Sequence, residues 1–282
     1  MRIGRPLAAL IAVATLLAAG TAAGALVVWL GLYDIAANVP HTQAVHSLME
    51  LTMHRSVKRR AAAIEVPPLD NPARVLRGAA CFRDHCLQCH GAPGRAQAPI
   101  GRSMQPLPGP LVDAPQHWNA AELYWITRNG IRMSGMPAWQ YRLDEAELWA
   151  LVAFMQRLPA LTAAEFTALA DTAAASCPAP RREGLPEGFR ADAARGRIAL
   201  TQHACTACHR IPGVTGSDVH VGPPLAGLAR RQTIAGRRPN TPDEMLRWII
   251  DPRHADAQTT MPALELREAD ARDIVAYLGT LQ

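Results

Sequence analysis

The residues with the strongest chemical signature form a five-residue motif, Cys-x-x-Cys-His, which occurs at positions 86–90 and again at positions 205–209. Two cysteines three positions apart, followed at once by a histidine, form the attachment pattern of c-type haem. The thiols are expected to form thioethers with the porphyrin, and the adjacent imidazole is expected to bind the iron. The sequence therefore predicts two covalently bound haem c groups, held by Cys86, Cys89, His90, Cys205, Cys208 and His209.

Two other interpretations of paired cysteines fit less well. A zinc ribbon needs its two pairs about 15–20 residues apart, whereas these pairs begin at positions 86 and 205. A thioredoxin-like pair lies beside a βαβ pattern, and no such pattern is visible around either motif. Haem attachment is therefore the better interpretation of both motifs.

Each motif is followed by a methionine that precedes proline and alanine, Met136 in the first half and Met261 in the second. A thioether is a soft, neutral ligand, and a Met/His axial pair raises the reduction potential of haem iron. It also fills the sixth position of the iron and leaves no room for oxygen or peroxide. We therefore predict Met136 and Met261 as distal iron ligands, with Met104 and Met133 as competitors in the first half.

The order of elements around the two motifs is also repeated. In each half a short helix leads into the motif, and a Gly/Pro-rich loop, a helix containing Trp-Ile, the Met-Pro segment and a last helix follow. Asn119 and Glu122 predict a capping box at the start of the first Trp-Ile helix. The repeated order indicates an internal duplication, and the absence of any long strand pattern predicts an all-α fold.

Each half resembles a class I cytochrome c domain, on the strength of the haem motif, the Trp-Ile helix and the Met-Pro segment. The resemblance implies that a proline carbonyl after the motif accepts a hydrogen bond from the proximal imidazole. Pro223 matches that place in the second half, whereas Pro108 and Pro110 both remain open in the first. The resemblance also implies that Trp125 and Trp248 wall the haem.

The residues from Leu7 to Leu32 form an uncharged apolar run, preceded by Arg2 and Arg5. The run is long enough to cross a bilayer, and the arginines favour a cytoplasmic N-terminus. A cleaved signal peptide is the alternative, since residues 22–24 are small, but the apolar run continues beyond them. We predict an uncleaved single-pass anchor in a bacterial inner membrane, with the haem domains in the periplasm.

A second helical pattern follows the anchor, with apolar residues recurring from Val45 to Ile64. Its position leaves three placements open: on the bilayer surface, against a partner subunit, or against the first haem domain. The histidines of this region, His41, His46 and His54, are interpreted as surface or packing residues and not as metal ligands.

Cys81 and Cys177 lie outside the haem motifs. In an oxidising compartment they can form a disulfide that ties the linker between the halves to the first domain. Free or packed thiols are the alternative, because separation along the chain says nothing about distance in space.

The predicted organisation has five parts: an N-terminal membrane anchor (1–34), a juxtamembrane helix with a linker (35–69), a first cytochrome c domain (70–160), a linker (161–189) and a second cytochrome c domain (190–282). The linker is expected to contain a small helix from Thr162 to about Ala175. This layout is similar to the dihaem subunits of haem-copper oxidases. It also resembles free membrane-bound cytochromes and the cytochrome subunits of periplasmic dehydrogenases.

The predicted function is transfer of single electrons in a respiratory chain, between a quinol-oxidising complex or periplasmic dehydrogenase and a terminal oxidase. No catalytic residue is expected. A dihaem peroxidase also has two such motifs, but it needs one iron open to peroxide, and both halves offer Met-Pro. A fixed cytochrome subunit of an oxidase or dehydrogenase complex is a further alternative. The net charge of +5 is spread along the chain, so nucleic acid is not expected as a partner.

Overall fold

A computed structural model describes residues 4–172, 176–179 and 184–282 of the chain. Helices dominate this part, and its two strands have two residues each. The predicted all-α fold is therefore confirmed. Arg2 and the predicted end of the linker helix near Ala175 lie outside the described residues.

The first helix, α1 (Arg5–Trp29), carries no charge after Arg5, is predominantly apolar, and is exposed along its length. Its 25 residues span roughly 37 Å at about 1.5 Å per residue, which exceeds the ~30 Å hydrocarbon core of a bilayer. The helix packs against no other part of the protein that the structure describes. By length and composition it could anchor the chain in a membrane.

Helix α2 (Gln43–Ala61) packs against the first haem-motif half. Val57 and Ala61 are buried there, and the His54 ring stacks on the Trp118 ring with centroids 4.2 Å apart. Of the three placements left open by the sequence, the structure shows contact with the first domain. The N-terminal part of the same helix remains exposed, including Leu48.

The first half is built around two crossing helices, α3 (Pro72–Cys81) and α8 (Glu145–Arg157). A Cβ atom on Gly78 would lie 1.9 Å from the carbonyl oxygen of Ala150, so only glycine permits this close crossing. Between them come a π-helical turn (Phe82–Cys86) and α4 (Leu87–His90), α5 (Pro99–Arg102), α6 (Ala114–His117), α7 (Ala120–Asn129) and a 3₁₀ turn (Trp139–Tyr141). Asn119 and Glu122 form the predicted capping box of α7.

Helix α9 (Ala163–Thr172) follows the first half and packs on its core. Phe166 and Ala170 are fully buried there, and Phe166 contacts the rings of Phe82 and Phe154. This short helix is therefore held to the first half and not suspended between the halves.

The second half repeats the crossing of the first. Helix α10 (Ala193–Gln202) packs on α13 (Glu268–Leu278), where a Cβ atom on Gly196 would lie 1.9 Å from the carbonyl oxygen of Asp273. The same use of glycine in both halves agrees with an internal duplication. The elements between these helices are a 3₁₀ turn (Cys205–Ala207), a second 3₁₀ turn (Leu228–Arg230), β1 (Thr233–Ile234), β2 (Arg238–Pro239), α11 (Pro242–Ile250) and α12 (Pro252–Ala255).

Cys81 and Cys177 form a disulfide, with their Cα atoms 4.5 Å apart. Cys81 is the last residue of α3 and is fully buried. The bond therefore fastens the segment after α9 to the base of the first haem motif.

Candidate haem-binding sites

The first motif is shaped by the π-helical turn (Phe82–Cys86) and by α4, which ends at Gly91 with a φ of 63°. The following loop then folds back over the motif, where the Ala98 N–H donates to the carbonyl of Gln88 at 2.9 Å. A Cβ atom on Gly101 would lie 2.8 Å from Cys89 Cα. Glycine therefore lets the loop backbone lie directly on the motif.

The imidazole of His90 donates from Nδ1 to the carbonyl oxygen of Gly109 at 2.7 Å. A carbonyl can only accept, so Nδ1 carries the proton and the lone pair of Nε2 is free for a metal. Burial lowers the pKa of His90, partly offset by this hydrogen bond. The ring is thus neutral near pH 7, as an iron ligand must be.

In the first half, the carbonyl that accepts the hydrogen bond from His90 differs from the sequence prediction. Pro108 and Pro110 were the two candidates, but the carbonyl that faces His90 belongs to Gly109, which lies between them. The loop path, and not the residue type, selects the carbonyl, because every residue in the segment has one.

In the second half the prediction is confirmed: His209 Nδ1 donates to the carbonyl of Pro223 at 2.8 Å. The preceding residue, Gly222, donates its N–H to the carbonyl of Cys208 at 2.8 Å. A Cβ atom on Gly222 would lie 2.5 Å from Cε1 of His209. Glycine at this position thus lets the loop reach the imidazole.

The four motif cysteines, Cys86, Cys89, Cys205 and Cys208, are free thiols. Burial, with a smaller effect of Cys89, raises the pKa of Cys86 to about 12. Burial also raises the pKa of Cys205 to about 11. Neither motif is closed by a disulfide, so both thiols of each pair are available for thioether bonds.

The two predicted distal ligands make an equivalent backbone hydrogen bond. The Met136 N–H donates to the hydroxyl of Ser134 at 3.2 Å, and the Met261 N–H donates to the hydroxyl of Thr259 at 3.2 Å. Both methionines are half-buried. This equivalence supports the pairing of the two methionines across the duplication, while iron ligation itself stays a prediction.

The two competing methionines lie differently. Met133 is 76% exposed, which makes it a poor candidate for a buried iron site. Met104 lies against the Met136 segment, since a Cβ atom on Gly135 would be 2.8 Å from its sulfur. Met104 is therefore the neighbour of Met136 that an experiment must distinguish from it.

The tryptophans of the two Trp-Ile helices lie at different depths. Trp248 is buried in the second core, and Trp125 is half-buried. That both wall a haem stays a prediction.

The histidines near the anchor are engaged with other groups. His41 shares a hydrogen bond of 2.6 Å with the Tyr33 hydroxyl, and His46 lies 3.8 Å from Glu50. His54 is occupied by its stack on Trp118. Within residues 4–172, 176–179 and 184–282, no three His, Cys, Asp or Glu side chains are grouped to hold a metal ion.

The chemistry of these residues fits a covalently bound haem in each half. Each half offers two free thiols and an imidazole whose Nδ1 donates to a backbone carbonyl. A soft thioether side chain lies in each half on a segment that has the same hydrogen bond from the methionine N–H to a hydroxyl two residues earlier. When bound, haem iron supplies one-electron redox chemistry.

Comparison with known protein families agrees with this arrangement. Residues 73–155 match the family model described as "Cytochrome C oxidase, cbb3-type, subunit III", and residues 193–282 match the model described as "Cytochrome c". The chain contains two cytochrome c-type domains. We refer to them below as the first and second cytochrome domains; such domains bind haem c covalently and transfer electrons.

A curated relative is cytochrome c oxidase subunit 2 of Alkalihalophilus pseudofirmus, which is 31% identical over 89 residues. The match covers 31% of this chain and 25% of the relative. The chain therefore spans only about a quarter of that protein's length.

Sequence reasoning missed three residues that the structure brings to the edges of these sites: Trp139, Tyr141 and His203. Trp139 and Tyr141 come shortly after Met136, and His203 comes just before Cys205. The sequence does contain a clue to Trp139 and Tyr141. When the two halves are aligned on Met-Pro-Ala, the second cytochrome domain has Leu264 and Leu266 at the positions of these two aromatic residues.

Proposed function

We propose that this protein is a membrane-anchored dihaem cytochrome c that passes single electrons in a respiratory chain. The iron of the first cytochrome domain would be bound by His90 and Met136, and that of the second by His209 and Met261. The porphyrins would be held by Cys86, Cys89, Cys205 and Cys208. Electrons would arrive from a quinol-oxidising complex or a periplasmic dehydrogenase and leave to a terminal oxidase.

The observation that carries this proposal is the pair of hydrogen bonds from the two proximal imidazoles to backbone carbonyls. His90 and His209 are each oriented from Nδ1, at 2.7 and 2.8 Å, so each presents Nε2 for iron. A haem iron with a Met/His ligand pair has both axial positions filled and a high reduction potential, which suits an electron carrier. A peroxidase would need one open iron, and both cytochrome domains offer a methionine instead.

The membrane and its side belong to the same proposal. Helix α1 would cross the bacterial inner membrane once, with Arg5 on the cytoplasmic side. Both cytochrome domains would then lie in the periplasm, where an oxidising environment suits the disulfide between Cys81 and Cys177.

An anaerobic redox titration of the purified protein tests the proposal. Haem content is measured first, by the pyridine haemochrome, and two covalent haems per chain are expected. The titration should then give two low-spin haems of high potential, each with the near-infrared methionine-to-iron band in the oxidised state. One high-spin or low-potential haem without that band would instead favour an openable iron, and peroxide turnover would become the next measurement.

A fixed subunit of an oxidase is a second candidate, because the matched family model and the curated relative are both described as oxidase subunits. Mild detergent extraction from native membranes followed by native sizing distinguishes the two. A free carrier migrates alone, whereas a permanent subunit co-migrates with its complex.

A further inference from the structure

The two cytochrome domains touch through a short aromatic segment, the 3₁₀ turn Trp139–Tyr141. This turn begins two residues after Pro137 and so continues the segment of the predicted distal ligand Met136. One of its rings faces the haem motif of its own domain, and the other faces the motif of the second domain. We call this turn, together with His85 and His203, the aromatic bridge.

On the side of the first cytochrome domain, Trp139 contacts His85. Their ring centroids are 5.1 Å apart and the planes are inclined by 46°. His85 directly precedes Cys86, the first haem-attaching cysteine. The indole of Trp139 is therefore one side-chain contact from the base of the first haem motif.

On the other side, Tyr141 crosses to the second cytochrome domain. Its ring meets the ring of His203 edge to face, with centroids 5.6 Å apart, and it packs against the hydrophobic core of that domain. His203 lies two residues before Cys205. Beside this contact, the Arg142 guanidinium donates to the carbonyl of Gln202 at 3.4 Å.

His203 is held in place by a buried polar network. Its Nε2 atom lies 3.2 Å from Asp270, and its side chain is only 9% exposed. Asp270 in turn accepts two hydrogen bonds from Arg267, at 2.9 and 3.1 Å. A ring clamped in this way has one orientation, so its edge-to-face contact with Tyr141 is set by the fold of the second cytochrome domain.

The aromatic residues of the bridge are specific to the first cytochrome domain. Aligned on Met-Pro-Ala, Trp139 and Tyr141 correspond to Leu264 and Leu266 of the second cytochrome domain. Leu266 is buried in the core of its own domain. The first domain thus carries aromatic residues at two places where its duplicate has leucines, and one of those residues reaches the other domain.

Between the domains lies a cavity of about 760 Å³, lined by Arg128, Tyr141 and Asp144 of the first domain and by Asp270 and Asp273 of the second. Electron tunnelling decays more steeply across open space and solvent than through bonded and packed atoms. The packed route through the aromatic bridge is therefore favoured over a route across the cavity.

We propose that the aromatic bridge is the path by which an electron moves between the two haems. The step takes one electron from a ferrous iron in one domain to a ferric iron in the other, and no bond forms or breaks. Tyr141 and His203 act as positioning residues that hold the two haem motifs in one arrangement. This inference rests on the proposed function, since it requires a haem in each cytochrome domain.

The test compares the haem-loaded protein with three variants. Tyr141→Ala removes the ring, Tyr141→Phe keeps it, and Ile198→Ala alters an exposed apolar residue of α10 as a control. Haem content, spectra and both potentials are recorded first; a missing haem in the unmodified protein would contradict the proposed function and not the bridge. One electron is then injected by flash photoreduction, and the redistribution between haems is followed by freeze-quench EPR.

Tyr141→Ala should slow the inter-haem step by about tenfold or more, the scale on which a lost alignment lowers a geometry-dependent rate, with both potentials unchanged. Tyr141→Phe and Ile198→Ala should keep the original rate. An unchanged rate in Tyr141→Ala would overturn the path.

A second measurement separates positioning from conduction. Small-angle X-ray scattering of the same proteins reports whether the domains stay together. An opened Tyr141→Ala protein with a slowed electron step supports the positioning role. An opened protein with an unchanged electron step overturns the path, because the electron would then not need the contact.

Discussion

The backbone N–H of Cys177 donates to the carboxylate of Asp84 at 2.7 Å, beside the disulfide that joins Cys177 to Cys81. A hydrogen bond and a covalent bond therefore fix the same point of the inter-domain segment, and Asp84 lies two residues before Cys86, the first cysteine of the first haem motif. The hydrogen bond from Arg83, opposed by burial, holds the pKa of Asp84 below its usual range. The segment is thus fastened to the first cytochrome domain at the entrance of its haem motif.

Removing this disulfide should destabilise the first cytochrome domain. The bond joins residues 96 positions apart, and cross-links of this kind stabilise by about 2–4 kcal/mol. Denaturant unfolding of the oxidised and reduced protein measures the difference, because thioether-bound haem is not released by thiol reductants. The matched control is Cys81→Ser/Cys177→Ser, whose unfolding should not respond to reductant; equal stability of all forms would contradict the prediction.

Replacing the predicted distal ligands should change the haem spectra one domain at a time. Met261→Ala should remove the near-infrared band of the second haem and lower its potential, because a thioether stabilises ferrous iron. Met136→Ala should do the same in the first domain. Met133→Ala, at a 76% exposed position, is the control and should leave both bands in place.

The Met104→Ala variant tests whether Met104, and not Met136, is the distal ligand of the first domain. If Met104→Ala removes the band and Met136→Ala does not, the ligand assignment there is wrong. Its sulfur lies next to Gly135, which is why this variant belongs in the same series.

Gly222→Ala should disturb the second haem through the proximal histidine. The added Cβ atom would lie 2.5 Å from Cε1 of His209, so the loop must shift and the hydrogen bond to Pro223 weakens. We expect a loss of about 1–3 kcal/mol in unfolding free energy, as for other overpacked sites, and a changed potential of the second haem.

The matched control for that variant is Gly109→Ala in the first domain. A Cβ atom there would meet nothing within 4 Å, and the carbonyl that His90 needs is retained. Its stability and potential should match those of the unmodified protein. If the two variants behave alike, the loop of the second domain can accommodate a Cβ atom at Gly222, and the prediction is wrong.

Acid should weaken the network around His203. Burial alone would raise the pKa of Asp270, but hydrogen bonds from His203 and Arg267 outweigh it and hold the pKa below the ordinary 3.8. A carboxylate with a depressed folded pKa contributes stability that is present above its unfolded pKa and lost as the pH falls through the folded one. The second cytochrome domain should therefore lose stability below about pH 4.

Asp270→Asn tests this sign. The variant should be less stable at pH 7 and should show a smaller loss between neutral and acid pH, as followed by denaturant unfolding. Asp218→Asn, at a side chain that is 74% exposed, is the control. An unchanged pH profile in Asp270→Asn would remove Asp270 as the source of the acid response.

Charge placed on the buried face of α2 should release that helix from the first cytochrome domain. Val57 is 1% exposed, and a carboxylate there would be buried without a partner. Val57→Asp should therefore speed amide exchange in α2, as measured by mass spectrometry. Leu48→Asp, at a 65% exposed position of the same helix, should leave exchange unchanged, and equal exchange in both would place α2 elsewhere.

Several features of the fold and of the candidate sites could be predicted from the sequence. The capping box of Asn119 and Glu122 depends on residues three positions apart, and the structure has it. Pro223 was identified from the resemblance to class I cytochrome c domains, and the structure has its carbonyl as the acceptor of His209 Nδ1. The helical class followed from periodicity, and the length of α1 followed from an unbroken apolar run.

The sequence by itself thus determined the haem-type motifs and the helical class, because each depends on residues that are close along the chain, and the duplication, because the same local patterns recur in the same order. The tertiary structure alone decided which carbonyl faces His90, since Pro108, Gly109 and Pro110 all offer one. It decided that Cys81 meets Cys177 and that Tyr141 meets His203. Those contacts join residues far apart in sequence, and their distance is set by how whole helices pack, which no local pattern contains.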